Sequence, residues 1–113
     1  MVTSETETRN RPEYSLDRIH ALARQGKVGH ASRRVQWDVG NLGYAPEDVH
    51  RCLQSLRTCN FKHSERYGGS GHWLDVYHLV CTGPCDVADD LYVKLKLNRD
   101  CVVVILHSFH RDR

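Results

Sequence analysis

LYVKLKLNRDCVVVILHSFH, residues 91–110, decides the fold. Its first seven residues alternate. Leu91, Val93, Leu95 and Leu97 point one way and Tyr92, Lys94 and Lys96 the other, which is the period of a half-buried strand. Asn98, Arg99 and Asp100 make a turn. The next ten residues, from Cys101 to His110, are nearly all apolar, as a central strand covered on both faces would be. Cys101, Val103, Ile105 and His107 share one side of it, so His107 is a polar residue near the end of an apolar row.

Working outward, residues 60–67 read as a short strand, the GGSG at 68–71 as a turn, and WLDVYHLV at 73–80 as an aromatic and β-branched strand. CTGPCDVADD at 81–90 reads as a loop. Upstream the period changes to that of helices. Ser15 caps a helix with Asp17 in its first turn and Leu16, Ile19, Leu22 and Ala23 on one face, and Gly26 stops it. Ala31, Val35, Val39 and Leu42 fit a second helix, although Val35, Trp37 and Val39 also alternate like a strand; the helix is the reading adopted. Pro46, with Glu47 and Asp48 behind it, opens a third helix whose stripe is Val49, Cys52, Leu53 and Leu56. Residues 1–13 are polar and mixed in charge, and are expected to be a mobile tail before a single domain at 14–113. The result is an α+β fold, with N-terminal helices packed on a twisted, mainly antiparallel sheet.

A chain of 113 residues fits one domain. No run approaches the roughly 20 apolar residues of a membrane span, and MVTSETETRNRPE lacks the apolar core of a signal peptide. Five cysteines without a secretion signal point to reduced thiols in a cytoplasmic setting rather than to a disulfide scaffold. The net charge of +2 is modest, but residues 15–67 hold nine basic against five acidic side chains, a block that could meet phosphates or simply face solvent.

No P-loop, G-x-G-x-x-G or H-E-x-x-H pattern is present, and the serines lack a nucleophile-elbow setting. Cys81 and Cys85, with His78 just before them, form one loose pair without an evident second pair. A zinc-dependent interaction domain is therefore a rival reading, and no metal or other cofactor is expected. The more informative set is basic and phenolic. Lys62, Ser64 and Arg66 share a face of the strand at 60–67, and Tyr92, Lys94 and Lys96 share a face of the strand at 91–97. His107 adds a possible proton carrier. If these faces converge, they can promote attack of an RNA 2′-hydroxyl on its own phosphate: a base takes the 2′ proton, an acid protonates the leaving 5′-oxygen, and cations hold the extra charge.

IHALARQGKV, NFKHSERY, WLDVY and LYVKLKLNRDCVVVILH together resemble the MqsR family, the motility quorum-sensing regulator toxins of bacterial toxin–antitoxin pairs. The likeness spans about residues 14–108, with an insertion around CTGPCDVAD. It implies a RelE-like fold and a metal-independent mRNA interferase that cuts single-stranded mRNA near GCU or GCN-like triplets. It also implies a cognate antitoxin as partner, and operator DNA bound only through the antitoxin complex. The family's first catalytic lysine falls on Lys62 and its tyrosine on Tyr92. Its glutamine falls on Leu74 and its last lysine on His107, which are departures. The resemblance and the pattern together give Lys62, Tyr92 and His107 as catalytic candidates, with Arg66 and Lys94 as RNA contacts. The departures keep open a second rival, an antitoxin-binding module impaired in catalysis.

Overall fold

The alternation at 91–97 becomes one of the two central strands of a six-stranded sheet. In the computed structural model, which describes residues 6–69 and 71–112, the elements run β1 (Thr6–Arg9), α1 (Leu16–Arg24), β2 (Val28–His30), α2 (Arg33–Asn41) and α3 (Pro46–Gln54). A short 3-10 turn (Thr58–Asn60) leads into β3 (Phe61–Tyr67), β4 (Leu74–Thr82), β5 (Ala88–Leu97) and β6 (Val104–Arg111). The sheet order is β1-β3-β4-β5-β6-β2, antiparallel except for β2, which runs parallel to β6. This is the expected α+β architecture.

All three helices cover one face. Ile19, Leu22 and Ala23 of α1, Val35 and Val39 of α2, and Val49, Cys52 and Leu53 of α3 form one core with Tyr77, Leu79, Leu91, Val93, Leu95, Leu97, Val104, Leu106 and Phe109. Local chemistry supports each helix. The Ser15 hydroxyl accepts from Arg18 N at 3.2 Å, and Gly26, at φ +73°, takes the left-handed conformation that ends α1. Ala45 N donates to Asp48 Oδ2 at 2.8 Å at the start of α3. The ambiguous second stretch is a helix because Val35 and Val39 lie one turn apart and both are buried against the sheet.

Four expectations change. Thr6–Arg9 pairs with β3 as an edge strand, so the tail expected at 1–13 does not hold from residue 6 onward; residues 1–5 lie outside the described residues. What fixes this segment is polar and non-local. Asp75, fully buried on β4, accepts from Glu13 N at 3.0 Å and Tyr14 N at 3.0 Å and also bonds Ser64 Oγ. Trp73 lies between the guanidinium groups of Arg9 and Arg66, at 4.0 and 4.7 Å from the ring centre. Val28–His30, without a recognisable strand period, is drawn in beside β6. The loop expected at 81–90 shrinks to a hairpin turn, because Thr82 pairs with Ala88 and Gly83 N donates to Val87 O at 3.0 Å.

The fourth change concerns the thiols. Cys52 and Cys81 are joined by a disulfide between α3 and β4, while Cys59, Cys85 and Cys101 are free and exposed. Cys52 sits on the apolar stripe of α3 and Cys81 on the helix-facing side of β4, so packing helix on sheet brings the two together. That contact could not be read from five unpaired positions in a sequence. His78 lies on the opposite face of β4 from Cys81, so the zinc reading loses the convergence of His78, Cys81 and Cys85. Among the described residues no three His, Cys, Asp or Glu side chains gather to hold a metal.

Asp75 generates the first prediction. Replacing it with Ala leaves the part-buried backbone donors of Glu13 and Tyr14 and the Ser64 hydroxyl without their acceptor, so Asp75→Ala should lower unfolding stability by about 2–4 kcal/mol in urea titrations. A loss below about 0.5 kcal/mol would show that the N-terminal segment is held otherwise.

Candidate active site

Because Leu91, Val93, Leu95 and Leu97 face the helices, Tyr92, Lys94 and Lys96 are forced onto the other, uncovered face. β4 adds Leu74, Val76 and His78 to that face by cross-strand pairing, with Val76 beside Lys94 and His78 beside Tyr92. On β6 a bulge intervenes. Lys94 pairs with Ser108 and Leu95 with Leu106, so His107 is an extra residue without a register partner. The bulge lets Leu106 and Phe109 both stay in the core while His107 turns to the open side.

The strand at 61–67 carries a second bulge, between Phe61 and His63. It resets the alternation, so His63 pairs with Val76 and Glu65 with Leu74, while Ser64 pairs with Asp75 on the helix side. Lys62 is exposed within the bulge. Arg66 follows Ser64 onto the helix side, where it bonds Glu7 at 2.8 Å and covers Trp73. This parts Arg66 from the face it was expected to share with Tyr92 and Lys94. Among the expected residues, the structure gathers Tyr92, Lys94 and His107, leaves Lys62 exposed in the β3 bulge, and leaves Arg66 behind the sheet.

Three residues missed in the sequence complete the face. Glu65, almost wholly buried, accepts from Lys94 Nζ at 2.8 Å, from the Tyr67 hydroxyl, and from His63 Nε2 at 2.9 Å. Lys94 also donates to the Tyr67 hydroxyl at 3.1 Å. The clue in the sequence was the parity of His63, Glu65 and Tyr67, but a bulge has no signature of its own there, and Lys62 drew the eye to the other parity.

These contacts set the protonation of the site. Burial pushes the Glu65 carboxyl up, but the hydrogen bonds from Lys94, Tyr67 and His63 outweigh it and hold the group at about 2. Burial opposes the charge on Lys94, yet its bonds to Glu65 and Tyr67 hold the ammonium above the usual lysine range. Burial raises the Tyr92 phenol, which stays protonated at neutral pH. Its ring is stacked on His110 and tilted against His78, each at 5.3 Å between centres. His107 moves the other way. Burial lowers its imidazole below the ordinary value of 6.5, and the Lys96 and Lys94 ammoniums push in the same direction. Its Nε2 is buried and has no hydrogen-bond partner among the described residues. His107 also lines a cleft of about 770 Å³ with Tyr14, His72, Lys96, Asn98 and Arg99.

A family model described as motility quorum-sensing regulator, toxin of MqsA, matches residues 11–111. The chain belongs to this toxin family. It is thus a toxin of a toxin–antitoxin pair, with an antitoxin as partner, and the resemblance seen in the sequence holds over nearly its whole length. A search of curated proteins returns no match. No helix among the described residues is long and apolar enough to cross a membrane. At the two family positions that depart, Leu74 is a buried apolar residue between Glu65 and the β5 strand, and His107 is the bulge residue of β6.

The Glu65 network predicts an acid limb of stability. The folded protein holds this carboxyl below its ordinary 4.5, at about 2, so its contribution is complete above about pH 5 and is lost as pH falls toward 2. The loss should be on the order of 3 kcal/mol in denaturant titrations across that range. Glu65→Gln should flatten the slope; an unchanged slope would assign it to other carboxylates.

Proposed function

We propose that this toxin is a sequence-specific mRNA interferase, an endoribonuclease of the cytoplasm that cuts single-stranded mRNA by metal-independent attack of the 2′-hydroxyl on the adjacent phosphorus. The observation that carries the reading is His107. It is an imidazole biased toward its neutral form by burial and by the charge of the Lys96 and Lys94 ammoniums, and it lines a cleft together with Lys96. A neutral imidazole can take a proton at physiological pH, and ammonium groups attract the phosphate whose ester is to be broken.

In this mechanism His107 removes the 2′-hydroxyl proton as the 2′-oxygen bonds to phosphorus. Tyr92, protonated and fixed between two imidazole rings, donates a hydrogen bond to a non-bridging phosphate oxygen. Lys62, Lys94 and Lys96 hold the charge that grows on the phosphoryl group, as preorganised cations do best where water is scarce. The P–O5′ bond then breaks to give a 2′,3′-cyclic phosphate and a 5′-hydroxyl. Family membership supports the nuclease reading and a preference for GCU or GCN-like triplets, with operator DNA reached through the antitoxin complex. The rival, an antitoxin-binding module without catalysis, draws on Leu74 alone. His107 does not support that rival, because its replacement of a lysine supplies a base suited to neutral pH.

Purified protein should cut a single-stranded RNA of mixed sequence in EDTA. His107→Ala should slow the cut by about 100-fold or more with an unchanged melting temperature. Full activity in His107→Ala would remove its role. Intact RNA with the unmodified protein would favour the binding module.

A further inference from the structure

The mechanism above leaves the departing 5′-oxygen without a proton donor, and the open face holds a further imidazole that no step has used. His63 stands on β3, at the opposite end of the row formed by His63, Val76, Lys94 and Ser108, with His107 beside the last of these. Four adjacent strands span about 14 Å from first to last. Lys94 stands in the row between the two ends, with Val76 fully buried beside it, and sends its ammonium to Glu65 Oε2 and the Tyr67 hydroxyl on β3, at 2.8 and 3.1 Å. Glu65 grips His63 through Nε2 at 2.9 Å. A buried carboxylate on one ring nitrogen fixes the tautomer and the ring plane and leaves Nδ1 to meet a substrate. His63 keeps about a third of its side chain exposed, so the ring is reachable.

From this arrangement we infer that His63, oriented by Glu65, is the general acid of the cleavage reaction, which rests on the ribonuclease reading above. In-line displacement puts the attacking and leaving oxygens on opposite sides of phosphorus. A base and an acid serving them must stand on opposite sides of the phosphate, and His107 and His63 stand at opposite ends of this row, with the Lys94 ammonium at the His63 end. The step balances. The 2′-oxygen gives its proton to His107 and bonds to phosphorus. The P–O5′ bond breaks with its electron pair on O5′, and protonated His63 gives O5′ a proton. Water then returns the proton to His63 and takes one from His107. Glu65 is a positioning residue that touches no substrate; it holds His63, Lys94 and Tyr67 at once.

A substrate in which sulfur replaces the leaving 5′-oxygen tests the assignment, because a thiolate leaves without a proton donor. The probe is an RNA containing the mapped cut site, made with oxygen or with sulfur at the 5′ position. His63→Ala should cut the oxygen substrate about 100-fold or more slowly and the sulfur substrate within about tenfold of the unmodified protein. His107→Ala should be slow on both. His63→Gln, which keeps a hydrogen bond to Glu65 but carries no transferable proton, should repeat the His63→Ala pattern and guards against misfolding. Equal losses on both substrates in the two His63 variants, or no loss on either, would overturn the assignment. So would sulfur rescue of Lys62→Ala in place of His63→Ala. Failure of the unmodified protein to cut the oxygen substrate would overturn the ribonuclease reading instead.

Discussion

The partition of β5 governs this molecule. Four apolar side chains at alternate positions can be buried only on the side where three helices present their own apolar stripes. Once that side is chosen, Tyr92, Lys94 and Lys96 have nowhere to go but the other face. The hydrophobic effect therefore builds the polar face without acting on it, and the chemistry of the site is a by-product of packing on its reverse. A slip of one residue in β5 would turn the lysines into the core and expose the leucines, so register and site stand or fall together.

Two bulges then decide which side chains complete the face. Without the one in β6, Leu106 and Phe109 could not both reach the core, and His107 would not stand free of the ladder. Without the one in β3, His63, Glu65 and Tyr67 would change places with Lys62, Ser64 and Arg66. Glu65 is the residue that makes the second bulge matter electrostatically. A nearly buried carboxylate is stable here because an ammonium, a phenol and an imidazole all bond to it. The same bonds keep Lys94 charged while His107, whose Nε2 has no hydrogen-bond partner among the described residues, is pushed toward neutrality. Opposite protonation states on one small face result from burial combined with unequal pairing.

Much of this was legible in the sequence. The helices at Leu16–Arg24 and Pro46–Gln54 and the strands about 60–67, 73–80 and 91–97 follow from period, caps and turns, and the family likeness was visible in WLDVY and LYVKLKL. Tyr92, Lys94 and His107 were found because alternation in β5 and the apolar row of β6 point to them. What stayed hidden has a common cause, in that it depends on contacts between distant residues. The edge strand Thr6–Arg9 is held by Asp75 and Trp73, the disulfide by the docking of α3 on β4, and β2 by its neighbour β6. The bulge in β3 misled the strand reading because alternation carried through it places Arg66 with Lys62. Arg66 instead braces Trp73 and Glu7 on the other side.

The open face is proposed to cleave RNA by transfer of the phosphate from the 5′-oxygen to the neighbouring 2′-oxygen. The most direct test is the chemistry of both new ends after purified protein has acted on single-stranded RNA in EDTA. A 2′,3′-cyclic phosphate on one fragment and a 5′-hydroxyl on the other, at one short recurring motif, is the expected result. A 3′-hydroxyl with a 5′-phosphate would contradict it, because water rather than the 2′-hydroxyl would then have attacked the phosphorus.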